Sequence, residues 1–305
     1  MARVSVIIPC LNAGKTLAQT LSSLQQQSDA DWEAIVVDDG STDCTRMVAV
    51  GFAHGDPRIR VMVNQGNGPS DARNFGAACA QGDIIAYCDA DDLWMPQKVA
   101  RLIATFDGAP EMAGCFGKVV FFDGQREGTV SDILRDELDI PTLLGENPVC
   151  TMSNLALRRS VVEASGGMDN RMVHNEDLEF LVRLVGLGFR INGLREVMVK
   201  YRTNPTGLSS NVKAMAQSRR QVLATAARFG HRSGPFCEAV HLRYLARRAL
   251  RVDSPPLQAL GLGLRGVVTS PAGWFSAPRR GCLVLGATLI APLMPRALRH
   301  TLFSR

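Results

Sequence analysis

In the sequence Ile84-Ile85-Ala86-Tyr87-Cys88-Asp89-Ala90-Asp91-Asp92-Leu93-Trp94, an apolar run leads directly into three carboxylates spaced D-x-D-D. The run has the composition of a buried strand. Carboxylates that are packed together repel one another and resist burial, so this strand end needs a neutralising partner. A divalent cation such as Mg²⁺ or Mn²⁺ would serve, because these ions take hard oxygen ligands. A second interpretation remains open at this point, in which Asp92 caps a helix that begins near Pro96.

Around this stretch, residues 1–122 alternate between strand-like and helix-like segments. The pattern predicts strands at 4–8, 34–37, 59–63, 84–88 and 115–122, with helices at 15–27, from near 43, at 71–80 and at 96–106. This order is typical of an α/β fold with a mostly parallel sheet and helices on both faces. Ligands of such sheets bind beyond the carboxyl ends of the strands. We therefore expect residues 9–12, 38–43 and 89–92 to line one crevice.

Composition places the chain among globular proteins, because 46% of its 305 residues are hydrophobic and 21% are charged. The eight cysteines are scattered without a C-x-x-C pair, which argues against a disulfide framework or a zinc site and indicates a reducing cytoplasm. The apolar run at residues 4–8 is broken by Pro9 and is too short for the core of a signal peptide. We expect it to be the first strand.

Three polar motifs beside these elements have both a structural and a functional explanation. Asp38-Asp39-Gly40-Ser41 offers carboxylates to a nucleobase or a ribose, or forms a turn in which Ser41 or Thr42 caps a helix. The loop before residue 71 leads to helix N–H groups that suit phosphate oxygens, and Ser70 caps that helix. Arg73 in its first turn opposes the helix dipole, which indicates an anionic ligand or an acidic neighbour. His174-Asn175-Glu176-Asp177 supplies either a general base or ordinary acids at a helix start.

Taken together and in order, these motifs resemble those of family 2 glycosyltransferases, which have the GT-A (Rossmann-like) fold. The resemblance covers roughly residues 3–212. It rests on Val4-Ser5-Val6-Ile7-Ile8-Pro9 with Asn12, Val37-Asp38-Asp39-Gly40-Ser41-Thr42-Asp43, Ala72-Arg73-Asn74-Phe75-Gly76, Asp89-Ala90-Asp91-Asp92, Gly166-Gly167-Met168-Asp169, Glu176-Asp177, and Tyr201-Arg202 with Leu208-Ser209.

The resemblance implies a binding site for a nucleotide-sugar donor. Pro9 and Asn12 would border the nucleoside, and Asp39 would accept the base N–H. Arg73 would help to hold the nucleotide. The sequence departs from the family at Leu11, where an aromatic residue usually stacks near the base. It departs again at Asn204, where a His often follows Tyr-Arg, within a candidate lid over residues 202–211.

The resemblance also implies a reaction. Asp91 would ligate Mn²⁺ or Mg²⁺ beside the diphosphate, and Asp89 would contact the ribose, the metal or a water bound to it. Asp177 would be the catalytic base that takes the proton of the acceptor hydroxyl, which then attacks the anomeric carbon with inversion. The metal would stabilise charge on the departing diphosphate.

The end of the chain differs from the rest in charge. Fourteen Arg and two acids lie from Arg219 to Arg305, a net charge of +12, which leaves −7 for the rest of a chain whose formal charge is +5. Arg243, Arg247 and Arg251 follow at i, i+4 and i+8 on one helical face. Nucleic acid is not expected as a partner, because no recognised nucleic-acid module is present.

A 13-residue apolar run at 282–294 is too short to span a bilayer, which takes about 20 residues. Arg residues flank it, and Trp274 and Phe275, which precede it, are expected at the membrane interface. We interpret residues 236–305 as a surface-lying membrane element, which would place the protein peripherally on the cytoplasmic face of the inner membrane. An alternative stays open, in which these helices pack on the catalytic domain or a partner subunit.

The predicted organisation is a GT-A glycosyltransferase domain at 1–212 and a helical, Arg-rich extension at 213–305. Within the domain, 1–122 would bind the nucleotide and 123–212 the acceptor. The predicted function is metal-dependent, inverting transfer of a sugar from a nucleotide-sugar donor, with a UDP-sugar favoured, to a hydroxyl of a glycan or lipid-linked acceptor in cell-surface polysaccharide synthesis. Two alternative classes are a non-catalytic scaffold subunit that binds the nucleotide sugar and a nucleotidyltransferase, for which no triphosphate loop is recognisable.

Overall fold

The structure, a computed structural model, describes residues 2–64, 66, 68–133, 135–203, 212–252 and 254–303. The chain divides into two compact units. The first comprises residues 1–138 and 148–203, and the second comprises residues 139–147 and 204–305. The predicted domains at 1–212 and 213–305 stay a prediction. The division of the first unit into a nucleotide half and an acceptor half stays a prediction.

The strands are β1 (Val4–Cys10), β2 (Trp32–Asp38), β3 (Ile59–Val63), β4 (Ile84–Tyr87), β5 (Leu93–Trp94), β6 (Gly114–Phe122), β7 (Glu127–Val130), β8 (Leu155–Arg158) and β9 (Ile191–Arg202). The α-helices are α1 (Leu17–Gln25), α2 (Thr45–Gly55), α3 (Pro69–Ala78), α4 (Lys98–Gly108), α5 (Ile140–Gly145), α6 (Arg159–Ser165), α7 (Glu176–Gly186), α8 (Val212–Arg228), α9 (Pro235–Arg251), α10 (Pro256–Thr269), α11 (Pro271–Trp274), α12 (Pro278–Ile290) and α13 (Arg296–Phe303). Short 3₁₀ turns occupy Met152–Asn154 and Ala291–Leu293.

One sheet runs through the first unit in the order β3-β2-β1-β4-β8-β6-β9-β5, and β7 pairs with β6. The α/β prediction is confirmed. Pairing is parallel from β3 to β4, where helices connect the strands, and between β6 and β9. The pairings of β8, β7 and β5 are antiparallel, so the sheet is mixed beyond β4. β7 follows β6 through a tight turn, in which the Asp123 carboxylate accepts from the Gln125 and Arg126 N–H groups.

Helices cover both faces of the parallel part of the sheet. Successive side chains of a strand point to opposite faces. Val4 and Ile8 of β1 share one hydrophobic cluster with Leu21 of α1. The intervening Ile7 faces α3, because a Cβ added at Gly76 would lie 2.5 Å from the Ile7 Cγ2 atom. The absence of a side chain at Gly76 therefore lets α3 approach the sheet closely.

The second unit is helical, as predicted. Ala239, Ala246, Trp274 and Val284 form its buried cluster. Trp274 is 0% exposed and donates its indole N–H to the Gly281 carbonyl at 3.1 Å. The expectation that this side chain lies at a membrane interface is therefore wrong. Among the described residues, no helix is both long enough and apolar enough to cross a membrane.

The packing at Gly76 gives a stability prediction. Gly76→Ala should lower the free energy of unfolding by about 1–3 kcal/mol, because the new methyl group presses on Ile7 and on Val37, 3.1 Å away. Gly51→Ala is the matched control, since Gly51 lies in α2 with open space around it. The control should gain about 0.5–1 kcal/mol from helix propensity. Urea unfolding measures both values, and equal stabilisation by the two substitutions would contradict this packing.

Candidate active site

Asp89, the first acid after β4, is held at its carboxylate by a cation and a hydroxyl group and at its backbone N–H by a second hydroxyl group. The Arg73 Nη2 atom donates to its Oδ1 atom at 2.7 Å, in an ion pair whose arginine is only 7% exposed. The Thr151 Oγ1 atom lies 3.0 Å from Asp89 Oδ2 and 3.2 Å from Asp92 Oδ2, so one hydroxyl bridges both carboxylates. The backbone N–H of Asp89 donates to Ser153 Oγ at 2.8 Å. Asp89 is thus fixed in position and charge-compensated.

Asp92 is fully buried and has a different set of partners. Its Oδ2 atom accepts from Ser153 Oγ at 2.5 Å, and its Oδ1 atom accepts from the backbone N–H of Arg202 at 2.9 Å. Burial, and then the charges of Asp89 and Asp91, raises the pKa of Asp92 well above its ordinary value. The proposed helix cap is wrong, because α4 begins after Gln97 and has no side-chain cap. Asp92 instead ties the strand end to β9 and to the 3₁₀ turn.

Asp91, between these two residues, has no cation paired directly with its carboxylate in the described structure. Arg202 donates from Nε to the backbone carbonyl of Asp91 at 2.8 Å, while its guanidinium acts on the side chain only at longer range. Burial and the charge of Asp89 raise the pKa of the Asp91 carboxyl to about 6. A like-charged neighbour and partial desolvation are the conditions that a bound cation relieves.

A buried lysine contacts the residue that hydrogen-bonds to both Asp89 and Asp92. Lys98 is 0% exposed, donates from Nζ to the Ser153 carbonyl at 2.5 Å, and places its ammonium 3.9 Å from the Trp94 ring centroid. Burial lowers the pKa of Lys98 to about 7. Because Ser153 contacts both Asp89 and Asp92, Lys98 supports the turn that positions these carboxylates.

Arg73 also pairs with the start of α7. Its Nη1 atom lies 3.2 Å from Glu176 Oε1, so the guanidinium joins Asp89 to the helix that carries Asp177. Burial would lower the pKa of Arg73, but the charges of Asp89, Glu176 and Asp177 raise it. Burial and the charge of Asp177 raise the pKa of Glu176 to about 7. The acidic neighbour that the position of Arg73 indicated is confirmed, and Glu176 is a site residue that the sequence motif contained without a role.

The predicted nucleoside contacts lie at the ends of β1 and β2. Pro9 pairs with Val37 in the sheet. Asn12 has a left-handed backbone (φ 52°), and its Oδ1 atom accepts from the Thr42 N–H at 2.9 Å. Asp39 accepts from Asn64 Nδ2 at 2.5 Å and from the Gly68 N–H at 2.9 Å. Asn12 and Asp39 therefore hold the crevice loops together, and each carbonyl or carboxylate oxygen keeps further acceptor capacity.

Several predictions about the loops have a definite outcome. Ser70 does not cap α3, which follows Gly68, and its hydroxyl instead lies 3.4 Å from the Met172 carbonyl. Neither Ser41 nor Thr42 caps α2, which follows Cys44. The departure at Asn204, the motif residues Leu208 and Ser209, and most of the candidate lid lie outside the described residues.

The donor set at Asp89–Asp92 fits a divalent cation. In the described ranges, no group of three or more His, Cys, Asp or Glu side chains is arranged to hold a metal ion. Mg²⁺ commonly takes only one or two protein carboxylates and completes its shell with water and substrate phosphates. Asp91, whose pKa is raised, and Asp89, two residues before it, would supply this smaller set.

Comparison with known sequences identifies the chain's relatives. The model of the family described as "Glycosyl transferase family 2" matches residues 5–166, more than half of the chain. A putative teichuronic acid biosynthesis glycosyltransferase of Bacillus subtilis is 29% identical over 213 residues, covering 68% of this chain and 82% of the relative. An uncharacterized glycosyltransferase of a Nostoc species is 32% identical over 169 residues, covering 53% of this chain and 52% of the relative.

A third relative is the UDP-Glc:alpha-D-GlcNAc-diphosphoundecaprenol beta-1,3-glucosyltransferase WfgD of Escherichia coli, 38% identical over 102 residues. The match covers 33% of this chain and 40% of that protein. The chain thus spans about half or less of the length of the Nostoc and Escherichia coli relatives.

Solved structures share the fold at low sequence identity. Staphylococcus aureus TarS 1–349 in complex with UDP has a TM-score of 0.59 at 18% identity, covering 94% of this chain and 90% of that chain. The mannosyltransferase PcManGT of Pyrobaculum calidifontis, in complex with GDP-Man and Mn²⁺, has a TM-score of 0.60 at 19% identity, covering 99% and 84%. With a matching fold and a family model that covers more than half of its length, the chain belongs to glycosyl transferase family 2 and has the GT-A fold.

Proposed function

We propose that the protein is an inverting, metal-dependent glycosyltransferase that uses a nucleotide-sugar donor. The observation that carries the proposal is the pairing of Arg73 with both Asp89 and Glu176. Asp91 lies two residues after Asp89, and Asp177 directly follows Glu176 at the start of α7. All of these residues belong to the first unit. Solved structures of the same fold in complex with UDP, UDP-GlcNAc and GDP-Man support the donor class.

The donor nucleotide would occupy the crevice at the carboxyl ends of β1, β2 and β4. Pro9 and Asn12 would border the nucleoside, and Asp39 would accept a base N–H with its remaining lone pairs. The hydrogen bonds of Asn12 to Thr42 and of Asp39 to Gly68 keep these acceptors in place before the donor arrives. Arg73 would act mainly through Asp89, because its guanidinium is buried between two carboxylates.

Asp91, with Asp89, would hold Mn²⁺ or Mg²⁺. When bound, the metal would supply positive charge that stabilises the departing diphosphate. Asp92 and Lys98 would position the Asp89–Asp92 segment through their hydrogen bonds to Ser153. Solved relatives with Mn²⁺ and with Mg²⁺ support a divalent metal.

Asp177 would accept the proton of the acceptor hydroxyl as that oxygen attacks the anomeric carbon from the face opposite the diphosphate. Glu176, which pairs with Arg73, places the start of α7 beside Asp89, and Asp177 is the next residue of that helix. The Arg73–Glu176 pair would then orient the helix start rather than react.

The acceptor would be a glycan or a lipid-linked saccharide, presented at the cytoplasmic face of the membrane. The diphosphoundecaprenol-linked substrate in the printed name of the Escherichia coli relative supports this class, as does the teichuronic acid role of the Bacillus protein. The Arg-rich second unit would attach the protein to that surface.

Removing the metal ligand should abolish metal-dependent nucleotide binding. In Asp91→Ala we expect UDP to bind equally weakly with Mn²⁺ and with EDTA, because the remaining Asp89 is already paired with Arg73. Isothermal titration with UDP, and in parallel with GDP, measures the difference, and Asp132→Ala at an exposed position is the control. A metal-dependent gain in Asp91→Ala equal to that of the unchanged protein would contradict the assignment.

Removing the base should separate transfer from binding. In Asp177→Asn we expect donor turnover to fall about 10²–10⁴-fold, since a general base contributes on that scale, with donor affinity unchanged. Release of nucleotide from a panel of UDP-, GDP- and dTDP-sugars measures turnover, with Asp132→Asn as the control. Full turnover in Asp177→Asn would overturn the mechanism.

A further inference from the structure

The second unit contains a group of arginines that share one carboxylate. Arg247 Nη2 lies 3.0 Å from Glu146 Oε1, and Arg280 Nη1 lies 3.2 Å from Glu146 Oε2. Arg243 and Arg251 lie one turn before and after Arg247 on the same face of α9. We call Arg243, Arg247, Arg251 and Arg280 the arginine cluster. Its members come from α9 and α12, and Glu146 follows α5.

Three arginines of the arginine cluster act on one another around Glu146. Burial lowers the pKa of Arg243, and the charges of Arg280 and Arg247 lower it further against the opposing effect of Glu146. The guanidinium groups of Arg243, Arg247 and Arg280 thus repel one another around this carboxylate, an arrangement that an additional anion would relieve.

The other acids in the described part of the second unit are engaged elsewhere. Asp139 accepts from the Thr142 N–H at the start of α5, and Glu238 pairs with Arg219 at 3.0 Å. The sequence contains no Asp or Glu after Asp253. The protein therefore supplies no second carboxylate from α10 to α13.

The arginine cluster contains one buried side chain and two that are partly exposed. Arg243 is 4% exposed and donates from Nη1 to the Trp274 carbonyl at 2.6 Å and to Ser276 Oγ at 3.1 Å. The side chains of Arg247 and Arg280 are 28% and 35% exposed. Guanidinium groups held in this way suit phosphate oxygens, which accept paired N–H donors.

An apolar stripe continues from the cluster along α12. Leu283, Ala287 and Ile290 follow Arg280 at i+3, i+7 and i+10, which places them on one side of the helix. Leu283 is 65% exposed and Ile290 is 53% exposed, and Leu293 just beyond α12 is 84% exposed. A free phosphate would use the arginines and leave this stripe in water. An anionic lipid would use both parts.

We propose that the arginine cluster binds the phosphate of an anionic membrane lipid, with the Leu283–Ile290 stripe against its acyl chains. This inference rests on the membrane attachment in the proposed function and gives it a defined anion site. The site belongs to the second unit, whereas the proposed catalytic residues belong to the first. Lipid binding can therefore be measured without donor, metal or transfer.

The test is co-sedimentation of the full-length protein with vesicles of phosphatidylcholine that contain phosphatidylglycerol or lack it. Binding should require phosphatidylglycerol. Arg247→Gln with Arg280→Gln should weaken partition about 30-fold, because each cation near an anionic surface contributes about fivefold. The matched control, Arg220→Gln with Arg228→Gln, removes the same charge from exposed positions of α8 and should weaken it much less. An equal loss in both pairs would show attraction by net charge alone and overturn the site.

Three further measurements keep the result decisive. Arg247→Lys with Arg280→Lys preserves charge if the glutamine pair fails to fold, and should still weaken binding because paired N–H donors are lost. Leu283→Ser should weaken binding to the same vesicles. Inorganic phosphate that raises the thermal midpoint without any vesicle binding would overturn the lipid assignment. UDP binding should be the same in every variant as in the protein without substitutions. If the protein without substitutions does not bind UDP, that result would count against the proposed donor site and not against the lipid site.

Discussion

The packing of three neighbouring carboxylates at the end of β4, one of them buried and two half-buried, is the constraint on which the first unit depends. The three carboxylates have different partners. Asp89 has the Arg73 guanidinium, and Asp92 has the hydroxyl of Ser153 and the N–H of Arg202. Among the described residues, no guanidinium pairs with the Asp91 side chain, and the pKa of Asp91 is raised to about 6. This difference between the three surroundings, more than the D-x-D-D spacing, supports the proposal that Asp91 would ligate a metal.

The sequence predicted the parts of the fold that depend on local pattern. Alternating apolar runs located β1 to β4 and the helices between them, and the unfavourable position of Arg73 indicated its acidic neighbour. The role of Asp92 was not predictable in this way. Its partners Ser153 and Arg202 are 61 and 110 residues away, so a local rule for helix caps had no access to them. The burial of Lys98 was not predictable either, because a lysine in a sequence does not by itself indicate burial.

Trp274 illustrates a second limit of sequence patterns. An aromatic residue near arginines and an apolar run is expected at a membrane interface. In the structure, small residues allow helices to close around it, and a Cβ added at Gly266 would lie 2.3 Å from the indole ring. The arginine that accompanies it, Arg243, donates to the Trp274 carbonyl instead of facing solvent. The hydropathy pattern is the same for a small helical core and for a membrane interface. In this chain the positions of the glycines distinguish the two.

The two units present the same electrostatic problem with opposite sign. The first concentrates carboxylates around one buried arginine, and the second concentrates arginines around one half-buried glutamate. Such clusters are costly in the folded protein, since like charges repel more strongly as water is removed. A counter-ion from outside the chain reduces the cost in both cases. Under the two proposals, the first unit would bind a cation together with a diphosphate, and the second would bind a phosphate. A net charge of +5 conceals this division, because it sums an acidic region and a basic one.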